Sequence, residues 1–376
     1  MVVNAIRSLP IPELYIEQLR NTEQNPRFHA EGNVLNHTLM VLDQYYKHVD
    51  EFELTQDERE VLYWAAVLHD VGKPRVSRLV NGRWVARGHE AAGVPVARNI
   101  LLGMPEISHS QRRRILNIVR WHHVPMRWGL MGTRYSAYKW LSTQTDIRLL
   151  GIFALFDVLG RICVNKSHVL EVIDHFNEVI VPRIHHEFGS HEEIQHFFDT
   201  ANYNKKNALW HALKTNDFRL MEKVLYRRPE QEREPHTSCV ITIGPPKSGK
   251  TRFLKEQFPE HEYIHLSEEA CEPGSQSQLE TQLCRLRKAL AHPLGEKRKV
   301  AIDGSHLDVS WRKRVMEYAR ECGATIRYLF FEKSLDEIRI NNQLSARPMS
   351  ENQLQAAYNQ LYFPHPWEAH HLQLVT

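Results

Sequence analysis

No apolar run in this sequence approaches the roughly 20 residues that a helical membrane crossing requires, so a membrane-spanning chain is not expected. The opening residues, MVVNAIRSLPIPELYIEQ, lack a basic stretch followed by an apolar block, and no signal peptide is expected. Cysteine is scarce. Cys163, Cys239, Cys271, Cys284 and Cys322 are odd in number and show no CxxC spacing. That argues against both a disulfide framework and a thiolate zinc site, and for reduced thiols in a cytoplasmic protein. An excess of one charge is missing too, since a net +3 over 376 residues says little about partners. Repeats and low-complexity tracts are absent. What the chain has in excess is histidine, with 23 residues spread over both halves, so their number alone locates no site.

The length exceeds one comfortable core and points to two domains. Between residues 33 and 226 apolar residues recur at helical spacing, over 33–49, 57–68, 91–102, 111–121 and 145–164. One hairpin is expected at residues 77–86, where Asn81-Gly82 supplies a tight turn. The stretch RRPEQEREPHTS, residues 227–238, is polar and proline-bearing and reads as a linker. Beyond it, β-branched runs at 240–243, 300–302 and 325–331 alternate with helical patterns at 276–290 and 310–322. Alternation of that kind implies βαβ units and a parallel sheet.

The chemistry of the first half centres on Leu68-His69-Asp70-Val71-Gly72-Lys73-Pro74. Neighbouring helical residues point about 100° apart, so a His-Asp pair reaches one ion most easily at a helix end, where Gly72 and Pro74 place this one. Further ligand types are His37 on a helix, His89 after the hairpin, His122 or His123 at a helix end, and Asp157 in mid-helix. Arg161 shares a helical face with Asp157, and with Lys73 it is positioned to hold a phosphate. Imidazole and carboxylate together suit Mn, Fe, Co or Ni, or a two-metal site, better than structural zinc.

The order His37, His69-Asp70, His89, His122, Asp157 resembles the HD phosphohydrolase superfamily, and VLHDVGKP is similar to the HD domains found beside nucleotidyltransferases and kinases. The resemblance covers about residues 30–165. It implies a metal-dependent phosphoesterase using metal-activated water, and it favours His122 over His123 as the ligand.

In the second half, VITIGPPKSGKT places a strand, a GxxxxGK(S/T) loop and a helix start in the order a phosphate cradle requires. Gly244, Lys247, Ser248 and Gly249 form the loop, Lys250 reaches the β- and γ-phosphates of ATP, and Thr251 holds magnesium. Pro245 and Pro246 have no N–H, so the cradle must begin at Lys247. Asp303 closes a later strand, and Arg339 and Arg347 lie in a stretch that reads as a lid.

This ordering resembles polynucleotide-kinase-like P-loop phosphotransferases over about residues 238–365, with His306 where an Asn is usual. The resemblance implies an acidic general base after the second strand. Glu268 and Glu269 stand there in place of an Asp, and the Arg that follows it in the family has no counterpart. Basic residues able to track a nucleic-acid backbone are Arg83, Arg87, Arg112-Arg113-Arg114 and Lys297-Arg298-Lys299.

The fold expected is therefore two domains: an all-α HD domain over 1–230, then an α/β P-loop phosphotransferase domain with a parallel sheet over 238–376. The domain order looks like the bacterial HD-domain polynucleotide kinases. It implies healing of RNA or DNA ends, with a divalent ion or pair (Mn, Co or Ni) at the HD site, ATP with Mg at the P-loop, and a ligase acting afterwards. A free-nucleotide hydrolase or phosphodiesterase whose P-loop half only binds ATP or is a degenerate kinase is the alternative.

Overall fold

The computed structural model describes residues 9–201, 203–215, 217, 237–266, 284, 299–307 and 309–375. It divides into two compact units, Met1–Ile194 and Gln195–Thr376.

The first unit is helical. Its helices are α1 Glu13–Arg20, α2 Val34–His48, α3 Gln56–Leu68, α4 Lys73–Val76, α5 His89–Leu102, α6 His109–Trp121, α7 Val124–Leu130, α8 Tyr135–Ser142, α9 Ile147–Leu159, α10 Lys166–His175 and α11 Val181–Phe188. A twelfth, α12 His191–Thr200, runs across the division into the second unit.

Local chemistry sets the starts of the long helices. Asn33 caps α2 by accepting from the Asn36 N–H, Thr55 with Glu58 and Ser108 with Gln111 form capping boxes on α3 and α6, and Asp146 accepts from Arg148 and Leu149 at α9. Helix α9 is apolar at nearly every position, Arg148 and Asp157 excepted, and such a helix belongs inside. Leu149, Leu150, Phe153 and Phe156 are fully buried, and α2, α3 and α6 pack around it. The apolar pattern continues to residue 164, but α9 ends at Leu159, one residue before its C-cap Gly160. Lys166 Nζ then donates to the Leu159 and Arg161 carbonyls, at 2.6 and 3.0 Å, satisfying groups a continuing helix would have used. The expected hairpin is present as β1 Arg78–Val80 and β2 Arg83–Val85, with Asn81 and Gly82 both at positive φ.

The second unit contains α13 Tyr203–Thr215, β3 Thr237–Ile243, α14 Lys250–Gln257, β4 Glu262–His265, β5 Lys299–Asp303, α15 Val309–Glu321, β6 Ala324–Phe331, α16 Leu335–Gln343, α17 Glu351–Gln360 and β7 His371–Val375. The strands form a five-stranded, all-parallel sheet in the order β4-β5-β3-β6-β7. Successive side chains of a strand face opposite ways. Thus Cys239, Ile241, Val300, Ile302, Tyr328 and Phe330 feed one core, while Val240, Ala301, Leu329 and Phe331 feed the other. Both faces are covered, as a parallel sheet demands.

Helix α13 belongs to this second unit. Lys206 Nζ donates to the His370 carbonyl at 2.7 Å, and Arg320 Nε donates to Asn207 Oδ1 at 2.8 Å. The compact units divide at Ile194–Gln195, and the expected linker lies outside the described residues up to residue 236. The expected helix at 276–290 lies outside the described residues, apart from Cys284.

Arg312 on α15 is fully buried and binds Glu368 through Nε–Oε2 at 3.0 Å and through a second nitrogen to Oε1 at 3.2 Å. It also donates to the carbonyls of His306 and Leu307, both at 3.1 Å. Burial alone would raise the Glu368 carboxyl, but Arg312 holds it below its ordinary value. Removing one member of such a pair leaves a buried charge unmatched. Glu368→Ala is expected to cost about 3–5 kcal/mol in urea unfolding at neutral pH. Because the folded-state value is depressed, the pair stabilises at neutral pH and its contribution is lost as the pH falls through that value. The difference between wild type and Glu368→Ala should therefore shrink in acid; a difference under 1 kcal/mol at pH 7 would contradict this.

Candidate functional site

Five elements deliver the titratable residues of the first half to one point. His37 lies on α2, His69 and Asp70 at the end of α3, His89 at the start of α5, His122 just past α6, and Asp157 on α9. The turn after α3 lies hard against the start of α5. A side-chain carbon on Gly72 would sit 2.1 Å from the His89 carbonyl oxygen and 2.4 Å from the Gly93 nitrogen. Only glycine permits that approach, and the approach brings His89 to Asp70.

Asp70 stands at the centre. Its Oδ2 is 3.2 Å from His69 Nε2 and 3.6 Å from His37 Nε2, and its Oδ1 is 3.2 Å from His89 Nε2 and 3.8 Å from His122 Nε2. Asp157 Oδ1 lies 3.0 Å from His37 Nε2. Three of the outward nitrogens face backbone carbonyls, and the fourth lies near a carboxylate. Nδ1 of His69, His89 and His122 faces the carbonyl three residues back, Ala66, Ala86 and Val119, at 3.1, 2.8 and 2.9 Å. His37 Nδ1 faces Glu31 Oε1 at 3.0 Å. A ring that donates through Nδ1 presents a bare lone pair at Nε2. His89 Nε2 and His122 Nε2 nevertheless lie 3.3 Å apart beside a carboxylate oxygen. Lone pairs gathered this way need a cation among them. His69 Nε2 and Asp70 Oδ1 are buried without a hydrogen-bond partner, which fits the same need. His37, His69 and Asp70 form one set able to hold a metal ion, and His89, His122 and His123 another.

The electrostatics of the two carboxylates and of His122 agree, whereas His37, lowered by burial but held between Asp157 and Glu31, is raised above its ordinary value. Burial would raise the Asp70 carboxyl, but Lys73 and then His69 hold it well below the usual carboxylate range. Asp157 is held down likewise, with Arg161 and then His37 outweighing burial. Burial, followed by the neighbouring His123 and His89, keeps His122 neutral, the form in which imidazole binds a metal.

A cavity of about 740 Å³ opens onto this cluster, and His89, His123, Lys73 and Arg161 are part of its lining. Lys73 Nζ donates to Asp70 Oδ2 and Gln24 Oε1, both at 2.6 Å. Arg161 grips Asp157 with two nitrogens, Nε at 3.1 Å from Oδ1, and so orients that carboxylate as well as facing the cavity. Of the two adjacent histidines, His122 turns Nε2 toward Asp70, whereas His123 Nδ1 lies 3.3 Å from Glu90 Oε1. Arg114 is engaged by Asp57 and Arg112 by the Ile107 carbonyl, so these two of the triple arginine serve local structure. Lys299 pairs with Glu260, while Lys297 and Arg298 lie outside the described residues.

At the carboxyl end of β3, Gly244, Lys247, Ser248 and Gly249 form the second site. Lys247 at φ 65° and Gly249 at φ 91° curl the loop into a concave turn, the shape in which backbone N–H groups converge on an anion. Lys250 Nζ donates to the Pro245 carbonyl at 2.6 Å, and Ser248 Oγ is buried without a partner. Thr251 Oγ1 donates to Asp303 Oδ2 at 2.6 Å, and His265 Nδ1 is 3.3 Å from the same oxygen. His306, at φ 46°, places Nδ1 2.7 Å from the Thr242 carbonyl and is pushed down to about 4 by burial. It is a neutral brace between the ends of β3 and β5.

The segment after α16 lies on the loop, with Lys247 Nζ donating to the Arg347 carbonyl at 2.8 Å. Arg339 instead pairs with Asp336 and Glu351, at 2.8 and 2.9 Å. Glu268 and Glu269 lie outside the described residues.

Residues 34–162 match the family model for the HD domain, and residues 239–361 match a model for the AAA domain. The chain therefore carries an HD domain followed by a P-loop, kinase-like domain, the architecture its motifs resemble. Glu31, His29 and Gln24, which no sequence pattern singles out, sit in loop and turn positions where no periodicity marks a residue. Glu31 Oε1 also faces His29 Nδ1 at 2.8 Å, tying both rings to one carboxylate.

Groups that orient a metal ligand typically govern metal affinity about 10–100-fold. Glu31→Ala should weaken manganese binding by that factor in calorimetry, as should Gly72→Ala, with helical content unchanged. Unaltered affinity in both variants would contradict the geometry.

Proposed function

We propose that this chain heals broken nucleic-acid ends from both sides. In this reading the HD domain removes the 2′,3′-cyclic, 2′ or 3′ phosphate from one end, and the P-loop domain phosphorylates the 5′-hydroxyl of the other. The observation that carries the reading is the two-sided Asp70 carboxylate, with imidazole lone pairs converging on each of its oxygens in a cavity lined by cations.

In the HD domain, His37, His69, Asp70 and Asp157 would hold one divalent ion, and Asp70, His89 and His122 a second. Such ions supply Lewis-acid activation of water and of the phosphoryl oxygen. The protein's own share follows from its contacts. Lys73 spends two N–H groups on Asp70 and Gln24, and the third is left for a phosphoryl oxygen. Arg161 fixes Asp157 and adds positive charge to the same wall.

In the P-loop domain, Lys247–Gly249 and the start of α14 would cradle the phosphates of ATP, Lys250 would reach the β- and γ-phosphates, and Thr251 with Asp303 would support magnesium. Glu268 or Glu269 takes the proton of the acceptor hydroxyl as its oxygen bonds to the γ-phosphorus. The bond from that phosphorus to the β–γ bridging oxygen breaks, and ADP leaves. Arg347 borders the loop and is the lid cation.

Chemical logic joins the halves: broken strands commonly end in a cyclic or 3′ phosphate and a 5′-hydroxyl, and a ligase requires the reverse. An oligonucleotide carrying a 5′-hydroxyl and a 2′,3′-cyclic phosphate, incubated with manganese, magnesium and ATP and read by mass spectrometry, should lose the terminal phosphate and gain a 5′ phosphate. His69→Ala or Asp70→Ala should abolish the first change and spare the second, and Lys250→Ala should do the reverse by a factor of about 10² or more. Loss of both activities in a folded single variant would sink the two-site reading. Hydrolysis of free nucleotides with no 5′ phosphorylation would replace it with a nucleotidase. Assayed separately, Glu268→Ala and Glu269→Ala should identify the base by a drop in kcat of about 10²–10⁴-fold in one of them; no drop in either would remove the general-base role from this segment.

A further inference from the structure

The cavity on the HD cluster is much larger than a phosphate needs. At about 740 Å³ it falls in the range of about 300–1,000 Å³ typical of sites for whole small molecules. Besides the cluster residues its walls carry Phe28, Trp84 and Trp121, together with Arg87, Arg120 and Arg127. The rings differ in how they are held. Trp121 packs edge-on against Trp140 at 5.3 Å, which fixes its plane, and the Arg120 guanidinium lies 4.8 Å from its centroid. Trp84 projects from the β1–β2 hairpin opposite Leu79, half-buried, and has no aromatic or cationic partner among the described residues. Arg87 and Arg127 are exposed and have no ion-pair partner among the described residues. Flat rings and guanidinium groups on the cavity that Lys73 and Arg161 also line, outnumbering its carboxylates Glu23 and Glu90, the latter in the field of Arg127, describe a ligand with a planar apolar part and more than one anionic group.

We infer that this cavity is a nucleotide subsite: the base of the terminal nucleoside stacks on Trp84, and Arg87 and Arg127 bind the phosphate on its 5′ side. The inference rests on the phosphoesterase reading for the identity of the end being processed, and its binding consequences stand apart from hydrolysis. Stacking on an aromatic side chain is sequence-tolerant because every base has a π-face. The subsite therefore distinguishes nucleic-acid ends from simple phosphate esters without selecting among bases. The two arginines further distinguish a chain end from a mononucleotide.

The test is calorimetry on the full chain in EDTA, in a Lys250→Ala background so that nucleotides do not compete at the P-loop. Adenosine 3′-phosphate should bind about tenfold tighter than ribose 3-phosphate. Trp84→Ala should erase that ratio, and Trp84→Phe should keep most of it. A dinucleotide ending in a 3′ phosphate should bind tighter still, and Arg87→Ala with Arg127→Ala should remove only that increment. Equal binding of the nucleotide and the sugar phosphate would overturn the inference, as would a preference untouched by Trp84→Ala. Thermal unfolding unchanged from the parent shows that the hairpin variants are folded. If the base preference holds while cyclic ends are never hydrolysed by the metal-loaded parent, the subsite stands and the phosphoesterase reading falls.

Discussion

Everything in the HD domain is arranged around one buried carboxylate. Taking a carboxylate out of water costs several kcal/mol unless its charge is answered, and Asp70 is 1% exposed. Lys73 answers part of it through Oδ2. Three of the remaining neighbours, His69, His89 and His122, set Nδ1 against a carbonyl and turn Nε2 toward the carboxylate, as lone pairs when Nδ1 carries the proton. An arrangement of acceptors facing acceptors is stable only with cations between them. That requirement explains the tight turn at Gly72, the grip of Arg161 on Asp157, and the meeting of five elements at one point.

The P-loop domain meets a different electrostatic demand. Its ligand brings the negative charge, so the protein supplies N–H dipoles and a lysine and keeps its acid one step back. Thr251 and His265 hold Asp303 at the carboxyl end of β5, beside the loop that ends β3. The crevice outside the carboxyl ends of parallel strands is where such sheets bind ligands. Buried beneath it, Arg312 with Glu368 and the neutral His306 fix the strand ends that the loop springs from. On the proposed reading the two domains would hold phosphate groups in opposite ways, one with carboxylates and imidazoles around metal ions, the other with backbone dipoles.

The fold class was legible because the two halves use different patterns: α9 is apolar at nearly every position and capped by Asp146, while β3, β5 and β6 are short β-branched runs between helices. His69-Asp70 before Gly-Lys-Pro and the Gly-Lys-Thr of the P-loop were legible because a helix end and a strand-to-helix turn constrain which residues fit. Four things were not. Glu31 acts through space from a loop, so no spacing rule leads to it. Arg339 follows the lid pattern but is drawn to Asp336 and Glu351 on its own side of the hairpin of helices. Arg114 reads as a basic surface and is spent on Asp57. Helix α13 has a helical pattern whose docking partner, the His370 end of the sheet, lies far along the chain. Local sequence encodes local geometry, and each of these depends on a neighbour from another element.

Anomalous diffraction from manganese-loaded crystals tests the arrangement around Asp70 most directly. Two peaks should flank the carboxylate, one bounded by His37, His69 and Asp157 and the other by His89 and His122, with Asp70 shared. A chain with no peak there, or with manganese only at surface carboxylates, would mean that the converging lone pairs are not a metal centre and that the phosphoesterase built on them is wrong.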